Sequence, residues 1–504
     1  MTGSLCGFII ASNINVSRRV FVRQKHRKRL VPYDRLLLVK EIFMPEKRRM
    51  PTMHIIIVGC GKVGITLVEQ LSREGHDITV LDINERVVRD VTELYDVMGI
   101  TGSGVHMQVL REAGLETADI VISVTGSDEI NLLCCTIAKK VGKRLVSIAR
   151  VRNPEYIEEL PYLRQQLGIA MIINPDLEAA REIGRIISRP QARSVSAFAK
   201  GHAELVRFTI PEGNVLDGKQ ILTLDRLFSF GYILCAIERD GEVSIPKGTD
   251  SLKAGDDITI LAASRDVNKI FTAIGMRTGS LRSCMIIGGG KTSYYLARQL
   301  LDQRMDVRII ESDPKRCDEL DALLPEATII NGNGSDEQVL KEEGIDSVEA
   351  FVALTGIDEE NILMTLYANR IQGLKTITKI NRITFNDVID DLDLGSVVYP
   401  KYICAEEITA YVRARRNSIG SNVETLYHMF DNRVEAIEFH IEKGSPVIGI
   451  PLMRLKKKDQ LLIACINRNG KILFPRGQDT IEAGDGMIVI TKHTGFGDAS
   501  DILL

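Results

Sequence analysis

The chain has no tryptophan, and aromatic residues make up only 5% of its 504 positions. Stacking platforms for nucleobases, which need exposed aromatic faces, are therefore not expected. Net charge is also nearly absent, −3 with a pI near 6.3, so the phosphate attraction that marks nucleic-acid binders is missing. No apolar run reaches the roughly 18 residues of a membrane span. The nine cysteines contain no C-x-x-C, and only Cys134 and Cys135 adjoin. They read as reduced core residues of a cytosolic protein, not as a disulfide or metal framework. A length prior of about 100 to 200 residues per domain gives three to five domains.

What the chain does contain is concentrated between Met53 and Asp82. The run Met53 to Val58, apolar apart from His54, reads as a buried parallel strand. The loop Gly59-Cys60-Gly61-Lys62-Val63-Gly64 then supplies G-x-G-x-x-G. Its first glycine permits a tight turn, its second lets a pyrophosphate approach the backbone, and its third lets helix and strand pack closely. A helix over Lys62 to Glu74 would offer its N-terminal amides to an anion. Asp82 ends the next strand, Ile78 to Leu81, where an acid accepts bonds from a ribose diol and repels a 2′-phosphate. Glycines alone often mark ordinary turns; strand, glycines, helix, strand and acid in this order point to an adenine nucleotide or NAD(H).

The pattern continues with strands near Val97 to Ile100, Asp119 to Val124 and Leu145 to Ala149, and a helix beginning at Val105. Gly102, Ser103 and Thr125 lie at strand carboxyl ends, where open α/β sheets bind ligands. Arg150 and Arg152 follow at the same rim, as phosphate or subunit contacts or as a solvated edge. Leu177 to Ile187 reads as a crossover helix into the next unit. Residues 204 to 264 change to alternating strands, Glu204 to Ile210, Gly231 to Glu238 and Asp257 to Ala262, with Arg239-Asp240-Gly241-Glu242 as a hairpin turn.

The whole arrangement recurs about 229 residues later. Gly288, Gly290, Glu311 and Gly332 repeat Gly59, Gly61, Asp82 and Gly102, and Thr355 repeats Thr125. Ser293 stands in place of Gly64, Ile380 in place of Arg150, and Arg382 matches Arg152 in this alignment. Pro246-Lys247-Gly248 with Ala254-Gly255-Asp256 returns as Pro475-Arg476-Gly477 with Ala483-Gly484-Asp485. The expected fold class is α/β: two doubly wound, Rossmann-like parallel-sheet domains, each followed by a small α+β domain.

Residues 1–52 differ from the rest, with twelve basic and three acidic residues, hence +9, which leaves −12 for the remainder. A basic arm for anionic lipid or a partner fits, as does either a poorly ordered extension or a start codon placed too early ahead of Met53; the second reading is favoured.

A tandem Rossmann unit ending in T-x-x-DE-x-N, each copy followed by a small domain with P-x-G and AGD signatures, resembles the RCK (regulator of potassium conductance) family in its tandem form. The resemblance implies RCK_N domains over 53–175 and 283–402 and RCK_C domains over 190–275 and 418–500, and it does not cover the extension over 1–52. It implies a non-enzymatic cytoplasmic subunit, peripheral on the inner face of the plasma membrane, that binds NAD(H) and ATP or ADP. It also implies a homotetrameric ring that gates a TrkH- or KtrB-like potassium transporter, with membrane association through that partner. A nicotinamide-dependent oxidoreductase is the rival class, and it needs an acid or base over the cofactor. His54 and His76 read as structural, and only His106 lies near the ligand loops. A nucleotide-sensing regulator of another transporter is the third reading.

Overall fold

The computed structural model describes residues 19–22, 29–32 and 52–504, the last without 143, 158, 277, 280, 382–388, 390, 391, 417–421 and 431. The chain divides into two compact units, Met1–Pro51 and Thr52–Leu504. In the first unit the described part is an antiparallel hairpin, Arg19–Val22 with Arg29–Pro32; the rest of the expected disordered extension lies outside the described residues. No helix among the described residues is long and apolar enough to cross a membrane.

The second unit runs large, small, large, small. The first large lobe contains β1 (His54–Val58), α1 (Lys62–Arg73), β2 (Asp77–Asp82), α2 (Glu85–Tyr95), β3 (Met98–Thr101), α3 (Met107–Glu112), β4 (Ile120–Ser123), α4 (Asp128–Val141), β5 (Val146–Arg150), α5 (Leu160–Leu167) and β6 (Met171–Ile173). Its strands are all parallel, in the order β3-β2-β1-β4-β5-β6. Ile55, Ile56 and Ile57 are fully buried, which is why β1 reads as a continuous apolar run and not as an alternation. The order reverses between β1 and β4, and a crevice opens there at the carboxyl ends of the strands.

The crossover helix α6 (Pro175–Ser188) follows, capped by Asn174, whose side chain accepts from the amides of Asp176 and Leu177. The first small domain is an antiparallel sheet of β7 (Ser194–Phe198), β8 (Ala203–Thr209), β9 (Tyr232–Arg239), β10 (Glu242–Ser244) and β11 (Asp257–Ala263), with α7 (Val267–Ala273). Of these five strands β10, three residues long, is too short to show an alternating pattern, and β7 buries the adjacent Val195 and Ser196 and so does not alternate. The turn between β9 and β10 holds Asp240 at φ 52° and Gly241 at φ 77°, the left-handed pair that a two-residue hairpin demands.

The second large lobe repeats the first: β12 (Ser283–Ile287), α8 (Lys291–Asp302), β13 (Asp306–Glu311), α9 (Pro314–Leu323), β14 (Thr328–Asn331), α10 (Glu337–Glu342), β15 (Ala350–Ala353), α11 (Asp358–Ala368), β16 (Lys375–Lys379) and β17 (Ser396–Val398). The second crossover helix is α12 (Pro400–Arg416), and the last sheet comprises β18 (Asn422–Met429), β19 (Val434–His440), β20 (Leu461–Arg468), β21 (Lys471–Leu473) and β22 (Gly486–Thr491).

The two halves exchange their crossover helices. Ala179, Ala180, Ile183, Ile186 and Ile187 of α6 share one core with the second lobe and the first small domain. Cys404, Ala405, Ile408 and Val412 of α12 share one core with the first lobe. The small sheets pack together around Phe198, Cys235, Phe430 and Cys465. All eight cysteines at described positions are buried and unpaired. The repeated AGD signature is structural: Asp256 takes two bonds from Arg239 and one from the Lys253 amide, and Asp485 is held likewise by Arg468 and the Glu482 amide.

One ionic cluster joins three elements. Arg413 on α12 donates to Glu74, just past α1, at 2.7 and 2.8 Å, and to both oxygens of Glu435 on β19 at 3.0 Å. His428 stands between Glu406 at 3.2 Å and Glu435 at 3.3 Å. Burial opposes the His428 charge, but these two carboxylates prevail and raise its pKa from 6.5 to about 9. A raised folded-state pKa contributes stability that is complete below the unfolded value and lost as pH rises through the folded one. We therefore expect His428→Gln to lower the melting temperature at pH 6 and to make little difference above pH ~9. Calorimetric melts of both proteins across that window check this.

Candidate functional site

The glycine loop of the first lobe is built by close contact. Gly59 has φ +98°, and a Cβ on it would meet the Thr125 backbone nitrogen at 2.8 Å. A Cβ on Gly64 would fall 1.9 Å from the Gly59 carbonyl oxygen. A Cβ on Gly61 would meet nothing within 4 Å. So two glycines are required by the fold itself, whereas the middle one faces open space in front of the α1 amides. No side chain caps that helix, whose N-cap is Gly61, in contrast to α2, capped by Asn84. Such an N-terminus presents free donors and a positive dipole end to an anion.

Asp82 bonds this loop directly. One carboxylate oxygen accepts from the Cys60 amide at 2.8 Å and the other from the Asn84 amide at 2.9 Å. Cys60 itself is buried, and burial together with the Asp82 charge pushes its thiol up to about 12, so it fills space and is not a nucleophile. Lys62 and Val63 open α1; Lys62 is exposed and Val63 is in the core. Gly102 sits beside the acid, its amide donating to the Asp82 carbonyl at 2.9 Å, with Ser103 next to it and half-buried.

The second lobe reaches the same geometry with compensating residues. Gly288 has φ +94°, and a Cβ on Gly290 would again meet nothing within 4 Å. Gly289 stands where the first copy has Cys60, because the longer Glu311 side chain and Leu320 occupy the space a Cβ would need. Glu311 accepts from the Gly289 amide at 2.6 Å and the Asp313 amide at 2.8 Å. Burial alone would raise its pKa, but the two amides hold it below the ordinary range. Ser293 donates to the Gly288 carbonyl, so the contact that a glycine makes by closeness is here a hydrogen bond. Gly332 donates to the Glu311 carbonyl at 2.9 Å, and Thr355 repeats the Thr125 bonds to its asparagine.

The strand-end motif has a bracing role that its spacing did not disclose. Asn131 is fully buried, accepts from Ser123 and Thr125, and donates to the carbonyls of Thr125 and Arg150. Asp128 accepts from the amides of Arg152 and Asn153. The equivalent bonds in the second lobe run from Asn361 to the Lys379 carbonyl and from the Asn381 amide to Asp358. This corrects the sequence alignment by one residue. Arg150 corresponds to Lys379, not Ile380, and Arg152 to Asn381, because the second copy is one residue shorter between Asn361 and Lys379 than the first between Asn131 and Arg150. The rim cation is thus kept in the second lobe, its amine bonding the Leu354 carbonyl at 2.8 Å. Arg382 lies outside the described residues.

Arg150 donates to the Thr125 carbonyl and Arg152 to the Gly126 carbonyl at 3.1 Å. Both Nε atoms are buried without a partner among the described residues. Burial, then the neighbouring Arg152 charge, pushes Arg150 down to about 10. Two adjacent guanidiniums with spare donors suit an anion.

The first crevice also meets the second lobe. Thr292 donates to Asp176 at 2.7 Å, Tyr295 donates to the Arg152 carbonyl at 2.8 Å, and Asn174 donates to Tyr295 at 3.2 Å. Sequence spacing could not show this, since these partners are more than 100 residues apart. The three histidines weighed as catalytic groups divide as expected: His54 bonds Thr79 and His76 accepts from the Met53 amide, whereas His106 is an exposed N-cap residue.

Fold and crevices together define a tandem protein of the dinucleotide-binding class, with two Rossmann-like domains each trailed by an antiparallel domain. The TrkA-N domain model matches residues 55–175 and 284–400, and the TrkA-C domain model matches 205–275 and 436–504. The chain belongs to the family of Trk system potassium uptake protein TrkA. A TrkA homolog from Archaeoglobus fulgidus is 32% identical over 440 residues, covering 87% of this chain and 97% of that protein. TrkA of Haemophilus influenzae is 30% identical, with 87% and 95% covered. Among solved structures, the GsuK channel superimposes with a TM-score of 0.59 at 16% identity, over 91% of this chain and 78% of that one. The GsuK RCK domain gives 0.58, also at 16%, over 90% and 96%.

Because Gly64 lies against the Gly59 carbonyl, Gly64→Ala is expected to destabilise the full chain by about 1–3 kcal/mol, the usual cost of overpacking. Ser293→Gly, which removes one hydrogen bond, should cost no more than about 1–2 kcal/mol. Denaturant melts of the two variants give the comparison.

Proposed function

We propose that this chain is the cytoplasmic, non-enzymatic regulatory subunit of a Trk- or Ktr-type membrane potassium transporter, controlled by NAD(H) and ATP or ADP. The observation that carries the reading is the pair of open glycine-loop cradles, each with its acid, in a family whose named members belong to potassium uptake systems.

In the first site the amides at Gly61–Gly64 hold phosphates, Asp82 holds the ribose diol, and Arg150 and Arg152 reach phosphate or a neighbouring chain. Gly102, Ser103 and Thr125 shape the wall. Gly288, Gly290, Ser293, Glu311, Gly332 and Thr355 do the same in the second site, with Lys379 as its rim cation. A bound nucleotide would supply no chemistry beyond its shape and charge. Its effect is differential binding: only the difference in affinity for two arrangements of the lobes moves a partner.

Four copies close a ring of eight lobes, and the exposed Leu133 on α4, with Ile357 and Leu363 at the matching face of the second lobe, fits contact between copies. The ring faces a TrkH- or KtrB-like transporter and reaches the membrane through it.

Calorimetric titration should show ADP or NADH binding more tightly than NADPH, and Asp82→Ala should weaken ADP by about 1–3 kcal/mol. Tighter NADPH binding removes the assignment of Asp82. A protein starting at Met53 is expected to form tetramers and to restore potassium-limited growth as well as the full chain; loss of both would make the basic segment functional.

A further inference from the structure

The two seams between crossover helix and lobe are related by the repeat but differ in chemistry. At Gly184, where α6 crosses α8 beyond the Thr292–Asp176 bond, the contact is steric: a Cβ on Gly184 would fall 2.1 Å from the Gln299 side chain. Where α12 crosses α1, it is polar: Thr409, at the place of Gly184, donates to Gln70 at 3.0 Å. One turn further along α12 lies the Arg413–Glu74–Glu435 cluster, with Arg413, Glu74 and Glu435 side chains 2%, 8% and 1% exposed. Arg413 also donates to the Phe496 carbonyl at 3.4 Å. The matching residues of the other seam are Ser188, counted from Pro175 and Pro400, Gln303, through the 229-residue repeat, and Glu204, which pairs with Ala262 as Glu435 pairs with Thr491. Ser188 and Gln303 are uncharged, and the Arg189–Glu204 pair stops short of the lobe. Ser188 turns back to its own helix at Gly184, and it and Gln303 line a cavity of ≈ 190 Å³.

Helix α1 therefore has the open glycine cradle at one end and a buried carboxylate gripped by Arg413 beyond the other, about 18 Å away for twelve residues. A rigid helix transmits a shift at its N-terminus to Glu74. Arg413 cannot let go of either carboxylate cheaply, since Glu74 is buried and would lose both of its bonds from the guanidinium, and Glu435 would keep only His428. We infer that the Glu74–Arg413–Glu435 bridge couples nucleotide occupancy of the first lobe to the second small domain, and that the second lobe, with the uncharged Gln303 in place of Glu74, has no equivalent line to the first small domain. The two nucleotide sites of one chain are thus unequal in output, whatever their affinities. This rests on the glycine loops being the nucleotide sites.

The test is hydrogen–deuterium exchange on the full chain with ADP as probe. ADP should slow exchange in β18 and β19 about tenfold, within the range of ordinary site-to-site coupling. Asp82→Ala should abolish that protection, and Glu311→Ala should leave it. In Glu74→Gln/Arg413→Met/Glu435→Gln, which removes the three charges together, ADP should still protect the loop at residues 59–64 while β18 and β19 exchange as in the free protein. Glu74→Gln alone, which keeps the Arg413–Glu435 pair, should give the same separation if the triple variant does not fold. Protection of β18 and β19 that survives these substitutions, or that Glu311→Ala removes, overturns the inference. So does ADP protection of the 59–64 loop that never reaches the small domain in the unaltered chain. No ADP binding at all would instead overturn the assignment of the loops, and the inference with it.

Discussion

A parallel sheet has to be covered on both faces, and neither large lobe covers itself. Each lobe leaves a strip of one face open beside its first helix, and the crossover helix of the opposite half fills it. The strip is apolar, so exposing it would cost hydrophobic free energy in proportion to its area. Two consequences follow from that one requirement. The halves are folded into each other, and the carboxyl-end crevices are brought against the seam between them.

The crevices are accordingly mixed constructions. Their floor is local: a glycine turn, a helix N-terminus and an acid within thirty residues of one another. Their walls come from elsewhere, as Tyr295 bonding the Arg152 carbonyl and Thr292 bonding Asp176 show. A ligand in the first crevice lies next to groups that report the arrangement of the second lobe, which is the physical basis on which binding and conformation can be linked. Duplication has not kept the seams alike. One has a glycine packed under a side chain and an Arg189–Glu204 pair that stops short of the lobe, the other a buried ion-pair network that reaches the lobe at Glu74, and such networks hold a particular geometry more firmly than they add stability.

Compensation is visible inside this single chain. Cys60 with the short Asp82, and Gly289 with the long Glu311, place a carboxylate on the loop amide at nearly the same distance, 2.8 and 2.6 Å. Gly64 packs against the Gly59 carbonyl, and Ser293 bonds the equivalent carbonyl of Gly288. The two lobes therefore satisfy one backbone design with different side chains, and a substitution seen in the sequence as a loss is in each case answered by a neighbour.

The sequence by itself determined the two Rossmann-like lobes, their order with the small domains, and the glycine loops with Asp82 and Glu311. These are written in short-range patterns: continuous apolar strands, glycines at fixed offsets, an acid about twenty residues on. It did not determine the register of the rim cations, because a one-residue shift leaves the motif intact and only the bonds of Asn131 and Asn361 reveal it. It also assigned the first crossover helix to connection alone and gave no reading of the second. Their apolar faces are legible in the sequence, but the surface they cover is not, since hydrophobic burial is non-directional and names no partner. Tertiary structure decided that each helix completes the other half's core. It alone placed Arg413 between Glu74 and Glu435, three charges from three elements that no local pattern joins.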